Sequence, residues 1–155
     1  MDKLWAPWRI NYVSGKKKAK GCIFCRAKTG KSKDYVIFKT RFCIVMLNIY
    51  PYNNGHLLIS PLRHIRDISG MQDSEILDLF KCLNQAKNLL QKVLKPQGYN
   101  IGFNLERNAG AGITGHLHLH IVPRWAGDTN FMPVIGNTKV ISQSLEELSR
   151  RLKNE

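Results

Sequence analysis

The chain has 155 residues, 43% of them hydrophobic, which suffices for one domain with a sizeable core and no disulfide staples. Its formal net charge is +13, an excess that attracts polyphosphates, nucleic acid or acidic lipid without choosing among them. No apolar run approaches the roughly 20 residues of a membrane span, and Met1-Asp2-Lys3-Leu4-Trp5 opens no apolar leader, so no membrane partner and a reducing, cytoplasmic setting are expected.

Trp5, Trp8 and Tyr12 make the first segment too aromatic for a free tail, and packing on the domain or on a second subunit is expected. Residues 15–33 carry Lys16, Lys17, Lys18, Lys20, Lys28, Lys31 and Lys33 and read as a mobile basic segment interrupted by a tethered knuckle, Cys22-Ile23-Phe24-Cys25. No recognised RNA- or DNA-binding motif accompanies these lysines, so nucleic acid is not the expected partner.

Three strand-like runs follow: Tyr35 to Lys39, Phe42 to Asn48, and His56 to Ser60 closed by Pro61, with residues 50–55 a turn by composition. Asp73 reads as an N-cap. Behind it Ile76, Leu79, Phe80, Leu83, Ala86, Leu90, Val93 and Leu94 recur at helical spacing, and Pro96 and Gly98 end the helix. Tyr99 to Asn104 reads as a fourth strand, residues 108–115 as a flexible glycine-rich loop, His116 to Val122 as a fifth strand ended by Pro123, and residues 142–153 as a short helix. Links too short for crossover helices make the first strands antiparallel. The expected class is α+β: an antiparallel sheet of about five strands, one long helix and a C-terminal helix, in a single domain over residues 1–155. Cys43 and Cys82 lie in apolar periodic segments and read as buried small hydrophobes.

The sharpest feature is His116-Leu117-His118-Leu119-His120-Ile121-Val122. On a strand, His116, His118 and His120 share one face at about 7 Å spacing, while Leu117, Leu119 and Ile121 turn to the core. Three imidazoles on one face are costly to bury without partners. They suit a metal site, or a nucleophilic middle imidazole oriented by its neighbours. Gly110, Gly112, Thr114 and Gly115 lie just before them, where backbone N–H groups can form an anion nest, and an anion beside a nucleophilic imidazole is a coherent site.

His116 to Val122 matches the His-φ-His-φ-His-φ-φ signature of the histidine triad (HIT) superfamily, φ being apolar, and Asn48 with Gly55-His56-Leu57-Leu58-Ile59-Ser60-Pro61-Leu62-Arg63-His64 resembles that family's other half-site. The Leu4-to-Arg9 run, the Cys22–Cys25 knuckle and Pro123 through Phe131 look like the bacterial diadenosine tetraphosphate phosphorylase (ATP adenylyltransferase) branch. The resemblance implies a nucleotidyl transferase or hydrolase acting on dinucleoside polyphosphates or related nucleotide phosphoesters and phosphoramidates. His118 would attack the α-phosphorus and carry the nucleotidyl group; His120 and His56 would buttress it; His116 would lie near the leaving side or ligate metal. It further implies that Asn48 binds ribose hydroxyls, that Asn104 contacts phosphate, and that Gly112, Ile113 and Thr114 form the phosphate loop, with a backbone contact at Ile113. A homodimer, inorganic phosphate as an optional acceptor, and no organic cofactor are expected on the same ground.

Cys22 and Cys25 supply half of a tetrahedral zinc site. Resemblance to zinc-bearing members of the superfamily names His64 and His116 as the other half, giving a closed, structural site. Two other readings compete: a nucleotide- or RNA-binding regulatory module without turnover, and a zinc-dependent hydrolase that uses the histidine row as ligands.

Overall fold

Five strands form one antiparallel sheet in the order β1-β2-β3-β5-β4: β1 is Val36–Lys39, β2 Cys43–Leu47, β3 Leu57–Pro61, β4 Gly98–Phe103 and β5 Leu119–Arg124. The computed structural model describes residues 21–30, 35–130, 135 and 140–155, and three α-helices stand among them: α1 (Ile23–Thr29), α2 (Asp73–Leu94) and α3 (Leu145–Lys153). The α+β expectation holds. Trp5, Trp8 and Tyr12, together with Lys16, Lys17, Lys18, Lys20, Lys31 and Lys33, lie outside the described residues. No described helix is long and apolar enough to cross a membrane.

Alternation along the strands gives the sheet two unlike faces. One carries Cys43, Val45, Leu47, Leu57, Ile59, Leu119 and Ile121, which pack under Leu79, Cys82, Ala86 and Leu90 of α2 and Leu148 and Leu152 of α3. The other carries Ile44, Met46 and Leu58, which are covered by Phe24 and Ala27 of α1. The register places His120 opposite Leu58 on this second face, and Phe24 of α1 lies against the rings of His116 and His118.

Several elements differ from expectation for physical reasons. The knuckle is the N-terminal turn of α1, because burying Phe24 and Ala27 against the sheet repays winding seven residues into a helix. The N-cap of α2 is Gln72, not Asp73; Asp73 falls in the first turn, where its charge complements the helix dipole. Glu75 accepts the Gln72 N–H (2.9 Å) and pairs with Arg63 (2.7 Å). On α2 the buried stripe runs through Leu79, Cys82, Ala86 and Leu90, taking in Cys82 and leaving the expected Ile76 and Phe80 38% and 59% exposed. Cys43 and Cys82 are fully buried, as expected.

The fifth strand starts later than the histidine pattern suggests. Pairing of β5 with β3 begins at Leu119 opposite Ile59. Before that point the chain leaves the ladder and is held by β3 and the segment after it: the Leu117 N–H donates to Ile65 O (2.7 Å), and the hydroxyl of Ser60 in β3 donates to Leu117 O (2.8 Å). Pro123 lies inside β5 rather than ending it. Past Ile121 only β4 pairs with this strand, so Pro123 stands at a local edge, where a missing donor is tolerated. The C-terminal helix begins at Leu145, with the Ser144 hydroxyl capping Glu147 N–H (3.2 Å), three residues later than expected.

Candidate active site

The hydrogen bonds assign the imidazole protons of His56, His116, His118 and His120. At His56, Nδ1 accepts from the backbone N–H of Tyr52 (3.0 Å) and from Asn48 Nδ2 (3.2 Å), so the ring proton sits on Nε2. His56 Nε2–H then donates to His120 Nδ1 (2.8 Å), which places the His120 proton on Nε2. That nitrogen is buried and has no partner. A buried donor without an acceptor costs about 1–3 kcal/mol, and here it is a donor waiting for a ligand.

His118 has the opposite arrangement. Its Nδ1–H donates to the carbonyl of His116 (2.8 Å), leaving Nε2 with a lone pair. The ring is buried, and Nε2 has no hydrogen bond among the described residues. Burial holds His118 below the ordinary imidazole range, against the opposing pull of the His116 carbonyl, so the ring is neutral near pH 7. The His118 and His120 ring centroids are 4.9 Å apart, closer than the backbone spacing of a strand, because the rings lean together.

Burial pushes His56 down to about 3 and His120 to about 4, with the neighbouring imidazoles adding to the effect. Both side chains take up protons near pH 6.5 once the chain unfolds. The unfolded state therefore binds more protons between about pH 6.5 and 4, and acid destabilises the fold across that window. We expect the denaturant midpoint to be level above pH 7 and to fall steadily on acidification to pH 5. A midpoint unchanged at pH 5 would contradict the neutral, buried pair.

Asn48 is engaged in the site by holding His56, and its Oδ1 accepts the Tyr50 N–H (2.9 Å). Asn104 reaches the same region, its Nδ2 donating to the Tyr52 hydroxyl (3.2 Å). The loop before the histidines takes a defined backbone path. A 3-10 turn over Arg107–Ala109 opens it, Gly110 takes φ +91, and Glu106 holds φ +66 and ψ 167, a conformation normally left to glycine. Arg66 pins Glu106 there through an ion pair of 2.6 Å. The backbone N–H groups of Gly112, Ile113, Thr114 and Gly115 donate to no described group. Four such donors in a row beside imidazoles suit an anion. The Ile113 side chain packs against the cluster of Phe24, Ala27, Ile44, Met46 and Leu58, so what this residue offers the site is its backbone.

Two aromatic residues of this site carry no signal in the sequence pattern. Phe24, between the two knuckle cysteines, is 1% exposed, and its ring lies 5.1 Å from His116 and 5.2 Å from His118. Tyr52 stacks on His120 at 5.6 Å, with 9° between the planes. Only a composition-based turn reading covered Tyr52.

On the far side of His118, four donor atoms of Cys22, Cys25, His64 and His116 lie within 4.8 Å of one another. His116 Nε2–H donates to Pro61 O (2.9 Å), so its bare Nδ1 faces the thiols, at 3.2 Å from Cys22 Sγ and 3.7 Å from Cys25 Sγ. His64 Nδ1 lies 3.2 Å from Cys25 Sγ. Tetrahedral zinc with these ligands has donors about 3.3–3.8 Å apart, so the set fits that ion. The second cysteine group, Cys43 and Cys82 with Asp78, differs: both thiols sit in the main core, and Asp78 Oδ2 already accepts from the Thr40 hydroxyl (2.6 Å) and Phe42 N–H (3.0 Å).

An antiparallel sheet that carries His56, His118 and His120 as neighbouring buried imidazoles defines a class of α+β protein with a histidine cluster on one sheet face. The HIT domain family model matches residues 29–127, and the chain belongs to the HIT family. AP-4-A phosphorylase of Mycobacterium tuberculosis is 34% identical over 164 aligned residues, covering 100% of this chain and 84% of that protein. The asymmetrical bis(5'-nucleosyl)-tetraphosphatase of Schizosaccharomyces pombe is 30% identical over 93 residues, 60% of this chain and 50% of that protein. Among solved structures, a zinc-bound histidine triad family protein of Mycobacterium smegmatis has a TM-score of 0.70 at 25% identity, over 86% of this chain and 91% of that one.

Proposed function

We propose that this chain is a nucleotidyl-transferring enzyme acting on dinucleoside polyphosphates through a covalent intermediate on His118. The observation that carries the reading is the tautomer of His118: Nδ1–H is tied to the His116 carbonyl, so the Nε2 lone pair is free. Attack forms an Nε2–phosphorus bond and breaks the bridging P–O bond, whose electron pair leaves on the departing phosphate chain. The ring keeps its Nδ1 proton and becomes positive, and the carbonyl that accepts this proton stabilises the charge as it develops. His120 Nε2–H and the amides of residues 112–115, which have no partner among the described residues, would supply neutral donors to the transferring phosphoryl group. Water or inorganic phosphate then displaces His118. The similarity to an AP-4-A phosphorylase along the whole chain supports phosphate as that acceptor.

Cys22, Cys25, His64 and His116 would hold a zinc ion, closing a site with four protein ligands and no open position. Such a centre ties α1 to the sheet and supplies no reacting group, which counts against a zinc-dependent hydrolase. In this reading the protein works as a homodimer over a single domain of residues 1–155.

Incubation with diadenosine tetraphosphate, with and without phosphate, separates the acceptors. ADP and ATP appearing only when phosphate is present is the expected result. ATP and AMP formed without phosphate would make the enzyme a hydrolase, and no turnover under either condition would overturn the enzymatic reading.

A further inference from the structure

Tyr52 lies on the loop between β2 and β3 and is 51% exposed, yet it is held at several points. Its amide fixes the tautomer of His56, its ring lies parallel to His120, and its hydroxyl oxygen accepts from Asn104 Nδ2 (3.2 Å). With a lone pair of that oxygen taken by Asn104, the phenolic O–H is left to donate. It has no acceptor among the described residues. Next to it, His120 Nε2–H is a second unused donor. The bare Nε2 of His118, the Nε2–H of His120 and the Tyr52–Asn104 pair thus follow one another across the site, linked by ring contacts of 4.9 Å and 5.6 Å.

A run of neutral donors leading away from the nucleophile matches a chain of phosphates continuing beyond the reacting one. We propose that Tyr52 is a specificity-determining residue: its hydroxyl, set by Asn104, holds the part of the phosphate chain that departs when His118 takes the nucleotidyl group. This rests on the reading of His118 as nucleophile. The recognised substrate class is one whose leaving group itself carries phosphates, in preference to simple nucleotide esters.

The test compares diadenosine tetraphosphate with the p-nitrophenyl ester of AMP, whose leaving group has no phosphate. Tyr52→Phe keeps the ring over His120 and removes only the hydroxyl. The ratio of kcat/KM for the tetraphosphate to that for the ester should fall about tenfold, the worth of one hydrogen bond to a charged oxygen. Asn104→Ala should lower the same ratio, because it releases the hydroxyl from its orientation. A misfolded fraction lowers both activities alike and cancels in the ratio. An unchanged ratio in Tyr52→Phe overturns the proposal, as does an equal loss on both substrates, which would make Tyr52 a base-stacking or structural residue. His118→Ala, assayed with the same pair, keeps the two readings apart: if it still turns over both substrates, the nucleophile assignment fails whatever Tyr52 does.

Discussion

Replacing His118 by alanine should lower kcat on diadenosine tetraphosphate by about 10⁴-fold or more, while nucleotide affinity stays within about tenfold. The asymmetry follows from the role of the ring. In the proposed reaction its Nε2 would bear on phosphorus only as the bond forms, whereas ground-state contacts would come from the loop amides of residues 112–115, Asn104 and Tyr52. Equilibrium binding of a non-hydrolysable analogue beside steady-state kinetics separates the two quantities. Equal loss of binding and turnover would turn His118 into a binding residue and favour a nucleotide-binding module. His120→Ala should be milder, because it removes one donor to the phosphoryl oxygens and leaves the attacking nitrogen in place.

Loss of the proposed zinc ion should act on stability first. Cys22→Ser or Cys25→Ser removes one of the four donors, and His116 then keeps its Pro61 hydrogen bond but loses its anchor on α1. An ion present at a thousandfold excess over its Kd stabilises the fold by about 4 kcal/mol. For a chain of this size, that loss corresponds to a fall in Tm of about 10 °C. Metal content by elemental analysis and thermal unfolding with and without chelator check this. One equivalent of zinc per chain in the wild type, none in the serine variants, and activity that declines in step with unfolding are expected. Prompt loss of activity from a still-folded chelated protein would instead make the metal catalytic.

How far the site could be read ahead depended on whether its geometry is local. The alternation from His116 to Ile121 is a property of adjacent residues, so the shared face of the three imidazoles and the core side of Leu119 and Ile121 were legible. The start of β5 was not, because it is decided by Ile65 and Ser60 capturing Leu117 from some fifty residues away. Phe24 and Tyr52 left no trace for the same reason. A phenylalanine inside a C-x-x-C and a tyrosine in a proline-containing turn gain meaning only when the fold carries them to His116, His118 and His120. The proposed metal set spans 94 residues between Cys22 and His116, and spacing alone offered only its first half; family resemblance supplied His64 and His116. Asn48 came forward through that same resemblance as a ribose contact, and the fold gives it a prior engagement with His56.

The most direct measurement is rapid acid-free quenching of the wild-type protein with diadenosine tetraphosphate, followed by peptide mapping in a mass spectrometer under alkaline conditions that preserve phosphoramidate bonds. An adenylyl group on the peptide containing His118, formed at a rate no slower than turnover and absent from His118→Ala, is the predicted result. Turnover with no covalent adduct at any time, or an adduct on His116 or His120 instead, would contradict the assignment of His118 as the attacking group.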